Sequence, residues 1–125
     1  MKEFSVTLAN RPGQLATLAR RLSTAGVHIE SLAAIGADGE GLVRFMPDDA
    51  DVARRVLREA GLSFEERPVL DTFLPDEPGA LADVAQRLAD AGVNIDSLYL
   101  LHSNAEGLHF AITVDDPEAA RANLA

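Results

Sequence analysis

The chain has 125 residues, of which 47% are hydrophobic and 25% are charged, and it contains no cysteine. This composition is that of a folded globular protein, and it excludes disulfides, thiolate metal ligands and a cysteine nucleophile. The net charge of -9 is uneven: residues 1–67 are at -1 (9 basic minus 10 acidic) and residues 68–125 are at -8 (2 minus 10). The acidic second half argues against binding to nucleic acid or to anionic membranes. We expect a soluble cytoplasmic protein.

The first predicted elements are a strand and a helix. Phe4, Val6 and Leu8 alternate with hydroxyl residues, which is typical of a strand that is covered on one face. A turn at residues 10–13 follows. Apolar residues then recur at three- and four-residue spacing up to Gly26 and predict an amphipathic helix whose buried stripe is Leu15, Leu18, Ala19 and Leu22.

A hairpin is predicted next. Ile29 resumes the period of two, but the next large apolar residue, Leu32, comes one position late, which indicates a bulge near Ser31. The glycine-rich residues 36–41 are typical of a hairpin turn, and residues 41–46 are typical of the returning strand. We expect these glycines to serve the geometry of the turn, because no strand-to-helix context for phosphate binding surrounds them.

The first unit is predicted to end with a helix and a fourth strand. Residues 47–51 place acidic side chains at a helix start, and residues 62–66 have the composition of a strand. The buried stripe of this helix is expected to be Ala53, Val56, Leu57 and Ala60. The order strand, helix, strand, strand, helix, strand predicts the split βαβ plan: an antiparallel α+β sheet of the ferredoxin-like class with both helices on one face.

The second half repeats the first. Sliding the chain by 66 residues aligns Pro12–Leu32 with Pro78–Leu98, and 13 of these 21 positions are identical. Such a repeat predicts a second unit of the same plan, which opens with a strand over residues 69–74. We therefore assign residues 1–67 to one domain and residues 68–125 to another. No flexible linker separates the two.

The second unit is predicted to be shorter by one strand. Residues 93–101 and 107–114 correspond to the second and third strands, and a last helix begins near Asp115 and ends with the chain at Ala125. The second copy therefore lacks its last strand. The strand over residues 69–74 would then be an unpaired edge, which we expect a second chain or the first unit to cover.

Catalysis, metal binding and RNA binding are weakly supported. His28, His102 and His109 have no ligand spacing on a helix, and no serine lies in a Gly-x-Ser-x-Gly elbow. Phe45 and Phe110 lie on third strands but lack the basic flanks of an RNA-binding sheet. We expect no catalytic residue, no metal and no cofactor; a small enzyme would have to use His102 with His109.

The repeated turn is the candidate ligand site. Pro12-Gly13 and Pro78-Gly79 precede helix starts, whose free backbone N–H groups and partial positive charge suit a carboxylate. In this plan we expect the second strand to begin beside the turn and to add a polar side chain, His28 or Asn94. The simpler interpretation is that the turn only starts a helix. It would be favoured if the turn occurred once, but the turn occurs twice with the same sequence after it, which favours a binding site.

These stretches resemble a known family. Residues 10–15 with 26–29, and residues 76–81 with 92–95, resemble the ACT domain, a small regulatory module that binds amino acids. The whole chain resembles stand-alone bacterial proteins made of two tandem ACT domains. The resemblance implies an α+β fold of two ferredoxin-like βαββαβ domains and a regulatory role without catalysis.

The resemblance also implies where an effector binds. In the family it lies between two adjoining ACT domains, held by the turn after the first strand of one and the start of the second strand of the other. Carried over to this sequence, the ligand-binding residues would be Asn10, Arg11, Pro12, Gly13, Gln14, Leu15, His28, Ile29, Asp76, Pro78, Gly79, Ala80, Leu81, Asn94 and Ile95.

Two departures from the family pattern bear on the ligand. Serine-sensing members have a histidine two residues before the turn asparagine, where this chain has Leu8 and Leu74, so serine is not the expected ligand. Asp76 replaces asparagine in the second copy. The two sites are therefore expected to be unequal: Arg11 in the first turn suits a carboxylate, and Asp76 in the second suits an α-ammonium group.

From the residues and the resemblance together we expect a non-catalytic regulatory protein that binds a small amino acid or similar metabolite. We expect it to form a homodimer and to have an enzyme that it regulates as a possible partner. The alternative is an oligomerisation module whose turns bind no ligand. These two readings differ in whether added amino acids stabilise the fold.

Overall fold

The computed structural model describes residues 1–124. The chain divides into two compact units, Met1–Arg67 and Pro68–Ala125. Across residues 1–124, none of the helices combines the length and the apolar character that a membrane span requires.

The first unit has the βαββαβ order that the sequence predicts, and this fold class is confirmed. Its four strands form one antiparallel sheet in the order β2-β3-β1-β4, which places β1 and β3 at the centre. The elements are β1 (Lys2–Ala9), α1 (Gln14–Thr24), β2 (Ile29–Ala37), β3 (Glu40–Pro47), α2 (Ala50–Glu59) and β4 (Phe64–Pro68).

Alternation along the central strands builds the core of this unit. Phe4 and Phe45 are cross-strand partners with their rings stacked at 5.6 Å, and both are fully buried. Leu18 and Leu22 of α1 and Leu57 of α2 pack into the same cluster. The cluster buries one face of the sheet beneath both helices, as the split βαβ plan requires.

The predicted bulge in β2 is confirmed, since the register with β3 shifts between Ile29 and Ser31. The hairpin turn is narrower than predicted. It consists of Asp38 and Gly39, both with positive φ (53° and 78°), and this is the backbone that a two-residue hairpin with the twist of its strands needs. The flanking glycines therefore belong to the strands.

Two predicted boundaries of the first unit are wrong by a few residues. Pro47 ends β3, and α2 begins at Ala50 after its N-cap Asp49. The fourth strand covers Phe64–Pro68, two residues later than predicted, because Leu62 belongs to the helix end, where its N–H bonds to the Leu57 carbonyl.

The second unit has three strands in the antiparallel order β5-β7-β6, which leaves β5 at an edge of this sheet. Within the described part of this unit no fourth strand is present, as predicted. The predicted end of the last helix at Ala125 lies outside the described residues. The elements are β5 (Leu70–Leu74), α3 (Ala80–Asp90), β6 (Ile95–Asn104), β7 (Gly107–Val114) and α4 (Pro117–Leu124).

The two hairpins differ by one residue. Both β2 and β6 have a register shift at the same place in the repeat, but β6 has a second shift between Leu100 and His102. Because of this extra residue, positions after the bulge in the second hairpin correspond to positions 67 residues earlier, instead of 66. Ile35 pairs with Leu42 and His102 pairs with His109, so His102 corresponds to Ile35.

Candidate functional site

The helices α1 and α3, which follow the repeated turn, begin without a side-chain cap. Their N-cap residues are Gly13 and Gly79, with φ of 89° and 90°, a backbone that favours glycine. By contrast, Asp49 accepts a hydrogen bond from the Val52 N–H at 3.1 Å at the start of α2. A glycine offers no such acceptor, so the first turns of α1 and α3 keep backbone donors for a ligand.

A cavity of about 140 Å³ lies beside the first of these turns. It contains polar groups from the turn and the start of α1 together with apolar side chains of the strands. Leu15, predicted to lie in the buried stripe, is instead 40% exposed at this cavity, as Leu81 is 44% exposed at the start of α3. The cavity is lined by Leu8, Ala9, Asn10, Arg11, Gln14, Leu15, Ala34, Ile35, Gly36, Gly41 and Val43.

Asn10 is held against β2 by a close approach to Gly36. A side-chain carbon at position 36 would lie 2.7 Å from the Asn10 Nδ2 atom, closer than such contacts allow. The Asn10 N–H also donates to the Gly39 carbonyl at 2.9 Å. Glycine at position 36 therefore gives the Asn10 amide its place at the cavity.

The second turn has different chemistry at the matching positions. Asp76 and Glu77 replace Asn10 and Arg11, and the register places Ser103 where β2 has Gly36. Because Ser103 has a side-chain carbon, it leaves less room for the residue at position 76. The two turns therefore differ in charge and in shape.

The structure brings some predicted site residues together and separates others. Asn10, Arg11, Gln14 and Leu15 line one cavity, and Pro12 and Gly13 lie exposed in the same turn. In the second unit Asp76, Pro78, Gly79, Ala80 and Leu81 form the corresponding turn and helix start.

The expectation that the second strand begins beside the turn of its own unit is wrong. Ile29 pairs with Pro47, whereas Ala9, which precedes the turn, pairs with Glu40 at the other end of the sheet. The reason is that α1 carries the chain back along the sheet, so β2 starts where β1 started. In the second unit Ile95 pairs with Val114, likewise away from Leu74.

His28 and Asn94 have matching backbone contacts at these strand starts. The His28 N–H donates to Asp48 Oδ1 at 2.9 Å, and the Asn94 N–H donates to Asp115 Oδ1 at 2.8 Å. The Asn94 side chain also donates to Asp96 Oδ1 at 3.1 Å. These contacts fix the backbone of the strand start in both units.

Sequence reasoning missed the contribution of β2 to the cavity. Ala34, Ile35 and Gly36 line it from the strand end, and Ile35 is 65% exposed. Gly36 was predicted to belong to the hairpin turn, but it lies within β2, where a glycine often marks the close approach of another group.

The clearest perturbed ionisable pair lies away from the cavity. Arg54 of α2 donates two hydrogen bonds of 2.6 Å to Glu66 of β4 and one of 2.8 Å to Asp51. The bonds from Arg54 lower the pKa of Glu66, and those to Glu66 and Asp51 raise the pKa of Arg54. Across residues 1–124 no group of three or more histidines and carboxylates could hold a metal ion.

The chain belongs to the class of ferredoxin-like α+β modules. Its first unit is an antiparallel βαββαβ sheet, its second unit repeats this plan with three strands, and in both units the first helix has glycine at its N-cap. Residues 69–123 match the family model of the ACT domain, which covers nearly all of the second unit. The second unit thus matches the ACT domain, as the resemblance in the sequence predicted, and the first three strands of the first unit form a sheet of the same order.

Solved structures share this fold over almost the whole chain. A protein from Bacteroides thetaiotaomicron has a TM-score of 0.84 at 24% identity, with 98% of this chain and 85% of that chain covered. The regulatory subunit of aspartate kinase from Thermus thermophilus has a TM-score of 0.72 at 19% identity, with 98% and 87% covered. No curated protein matches the sequence.

Proposed function

We propose that the chain is a non-catalytic regulatory module whose first unit binds a small amino acid at the cavity beside Asn10–Leu15. The observation that carries this proposal is the cavity itself, which has an uncapped helix start, the Asn10 amide and the Arg11 guanidinium at its polar side. Backbone donors and a cation suit the ligand carboxylate, and the Asn10 carbonyl oxygen can accept from its ammonium group.

The lining of the cavity favours a small aliphatic side chain. Its volume of about 140 Å³ is below the range of roughly 300–1,000 Å³ that drug-sized ligands occupy. Leu8, Leu15 and Ile35 in the lining offer apolar contact. A hydroxyl group in the ligand would meet few partners there, so an aliphatic ligand is preferred over serine.

We propose further that binding is coupled to self-association and to a regulated enzyme. A homodimer would bring the strand start at His28 or Asn94 of one copy to the turn of the other, in the arrangement that the family resemblance implies. The similar Thermus protein is named a regulatory subunit of aspartate kinase. By analogy this chain would pass the state of its site to an enzyme partner.

Calorimetry with each of the twenty amino acids tests the proposal. We expect one or more small aliphatic amino acids to bind, and Arg11→Ala to weaken binding about tenfold through loss of one charge-assisted contact. Arg20→Ala removes another exposed charge, from a residue of α1 that does not line the cavity, and should bind normally. Failure of every amino acid to bind or to raise the melting temperature would favour the oligomerisation module.

Gly36→Ala tests the role of Asn10 at the same site. The added carbon would displace the Asn10 side chain, so we expect weaker binding with the fold retained. Ala37→Ser is the control, because it also enlarges a side chain near the end of β2, at an exposed residue that does not line the cavity. Equal affinity in both variants would remove Asn10 from the site.

A further inference from the structure

The second unit contains a cavity that the turn residues do not form. It has a volume of about 460 Å³ and lies between the end of β5 and the β6–β7 hairpin. None of the predicted ligand residues of the second unit lines it. Its lining consists of Phe73, Leu74, Pro75, His102, Asn104, Glu106, Gly107, Leu108 and His109.

An aromatic stack forms one wall of this cavity. Phe73 is 73% exposed, and its ring lies 4.3 Å from the His109 ring with 13° between the two planes. His109 Nε2 lies 3.1 Å from Asp71 Oδ1, which fixes the orientation of the imidazole. Phe73 is therefore held in place by a neighbour while much of its own surface stays in water.

The extra bulge in β6 directs a second imidazole to the same face. Without the register shift between Leu100 and His102, strict alternation would place His102 on the face of Leu98 and Leu100. With the shift, His102 is the direct partner of His109, and direct antiparallel partners share a face. Bulges that reorient a side chain in this way are common beside functional sites.

The first unit lacks this arrangement and shows that the fold does not need it. By register, Phe73, His109 and His102 correspond to Thr7, Leu42 and Ile35. A close approach adds to the geometry, because a side-chain carbon at Gly107 would lie 2.5 Å from the Leu74 carbonyl oxygen. Glycine at that position lets the end of β5 lie against the hairpin.

We propose that this cavity binds an uncharged heteroaromatic ring that carries N–H donors, such as a nucleobase, stacked on Phe73. The size of the cavity suits a ligand of that class, and a flat exposed ring favours a flat partner. The His102 imidazole and the Glu106 carboxylate, which both line the cavity, offer acceptors for the N–H groups. An anionic ligand is disfavoured, because Glu106 lines the cavity, Asp71 contacts the His109 ring, and the unit has a net charge of -8 (2 basic minus 10 acidic).

Adenosine and AMP as probes of the full chain test this proposal by proton NMR. The chain has three histidines, so their imidazole signals can be assigned with His102→Ile and His109→Leu, which introduce the residues of the first unit. We expect adenosine to shift the signals of His102 and His109 and to leave His28, in the first unit, unmoved. AMP should bind more weakly, because its phosphate meets the acidic border.

Phe73→Thr introduces the residue of the first unit and should weaken adenosine binding about tenfold, the order expected for a lost ring stack. Leu100→Ala removes another exposed apolar side chain of this unit, 49% exposed, and should bind as the unchanged chain does. The proposal is wrong if adenosine moves no histidine signal, moves all three equally, or binds Phe73→Thr as well. Binding of AMP as tight as that of adenosine would reject an uncharged ligand.

Discussion

Glu66 is the residue through which acidity should act on this fold. Its carboxylate accepts two hydrogen bonds of 2.6 Å from Arg54, and these bonds hold its pKa below the usual range. A carboxyl group whose pKa is lowered by folding stabilises the folded state above its unfolded pKa. That stabilisation is lost as the pH falls through the lower, folded value.

We therefore expect Glu66→Gln to lower the melting temperature at pH 7, with a difference that closes as the pH is lowered. The physical reason is that the glutamine introduced at position 66 is neutral at every pH, whereas Glu66 loses its negative charge only when it is protonated at low pH. Melting curves from pH 7 to pH 3 measure it. Glu65→Gln removes a charge from the same strand at a 71% exposed side chain and should have a smaller effect. A difference that does not depend on pH would contradict the assignment.

At the scale of the element, the helices differ in how they begin. The start of α2 is capped by a side chain, whereas the starts of α1 and α3 have no side-chain cap and are candidate binding sites. Asp49→Ala removes the cap of α2, and we expect it to lower the free energy of unfolding by about 1 kcal/mol, typical of a lost N-cap. Urea unfolding measures this change. Glu30→Ala removes one exposed acidic side chain of β2 and serves as the control. An Asp49→Ala variant as stable as Glu30→Ala would show that the cap is dispensable.

Local sequence patterns predict individual helices and strands well, but they predict poorly which residues come together in the folded sheet. The late arrival of Leu32 indicated the bulge at Ser31, because alternation is a property of one strand. The end of the sheet at which His28 lies depends on the path of α1, and the pairing of His102 with His109 depends on an extra residue in β6. The family resemblance places Asn10, Arg11, Gln14 and Leu15 in one turn and they line one cavity, but the contact of Asn10 with Gly36 depends on the sheet register.

For the molecule as a whole, the uneven charge is the property that no single element shows. The second unit has net charge -8, and nine of its ten acidic side chains are exposed, whereas the first unit is near neutrality at -1. Like charges on one small unit repel each other and destabilise its compact state. Salt screens such exposed charges, with a Debye length of about 10 Å at 0.1 M.

Raising NaCl from about 10 mM to about 300 mM should therefore slow amide exchange in β5, β6 and β7 more than in β1 and β3, because screening relieves repulsion where the charge is concentrated. Hydrogen exchange read by mass spectrometry on peptides of both units measures this, and the first unit is the control within each sample. The ion pair of Arg54 with Glu66 is weakened by the same salt, so protection of the first unit should stay level or fall. Equal gains in both units would mean that salt acts through apolar burial, which is shared, and that the charge asymmetry has no effect on folding stability.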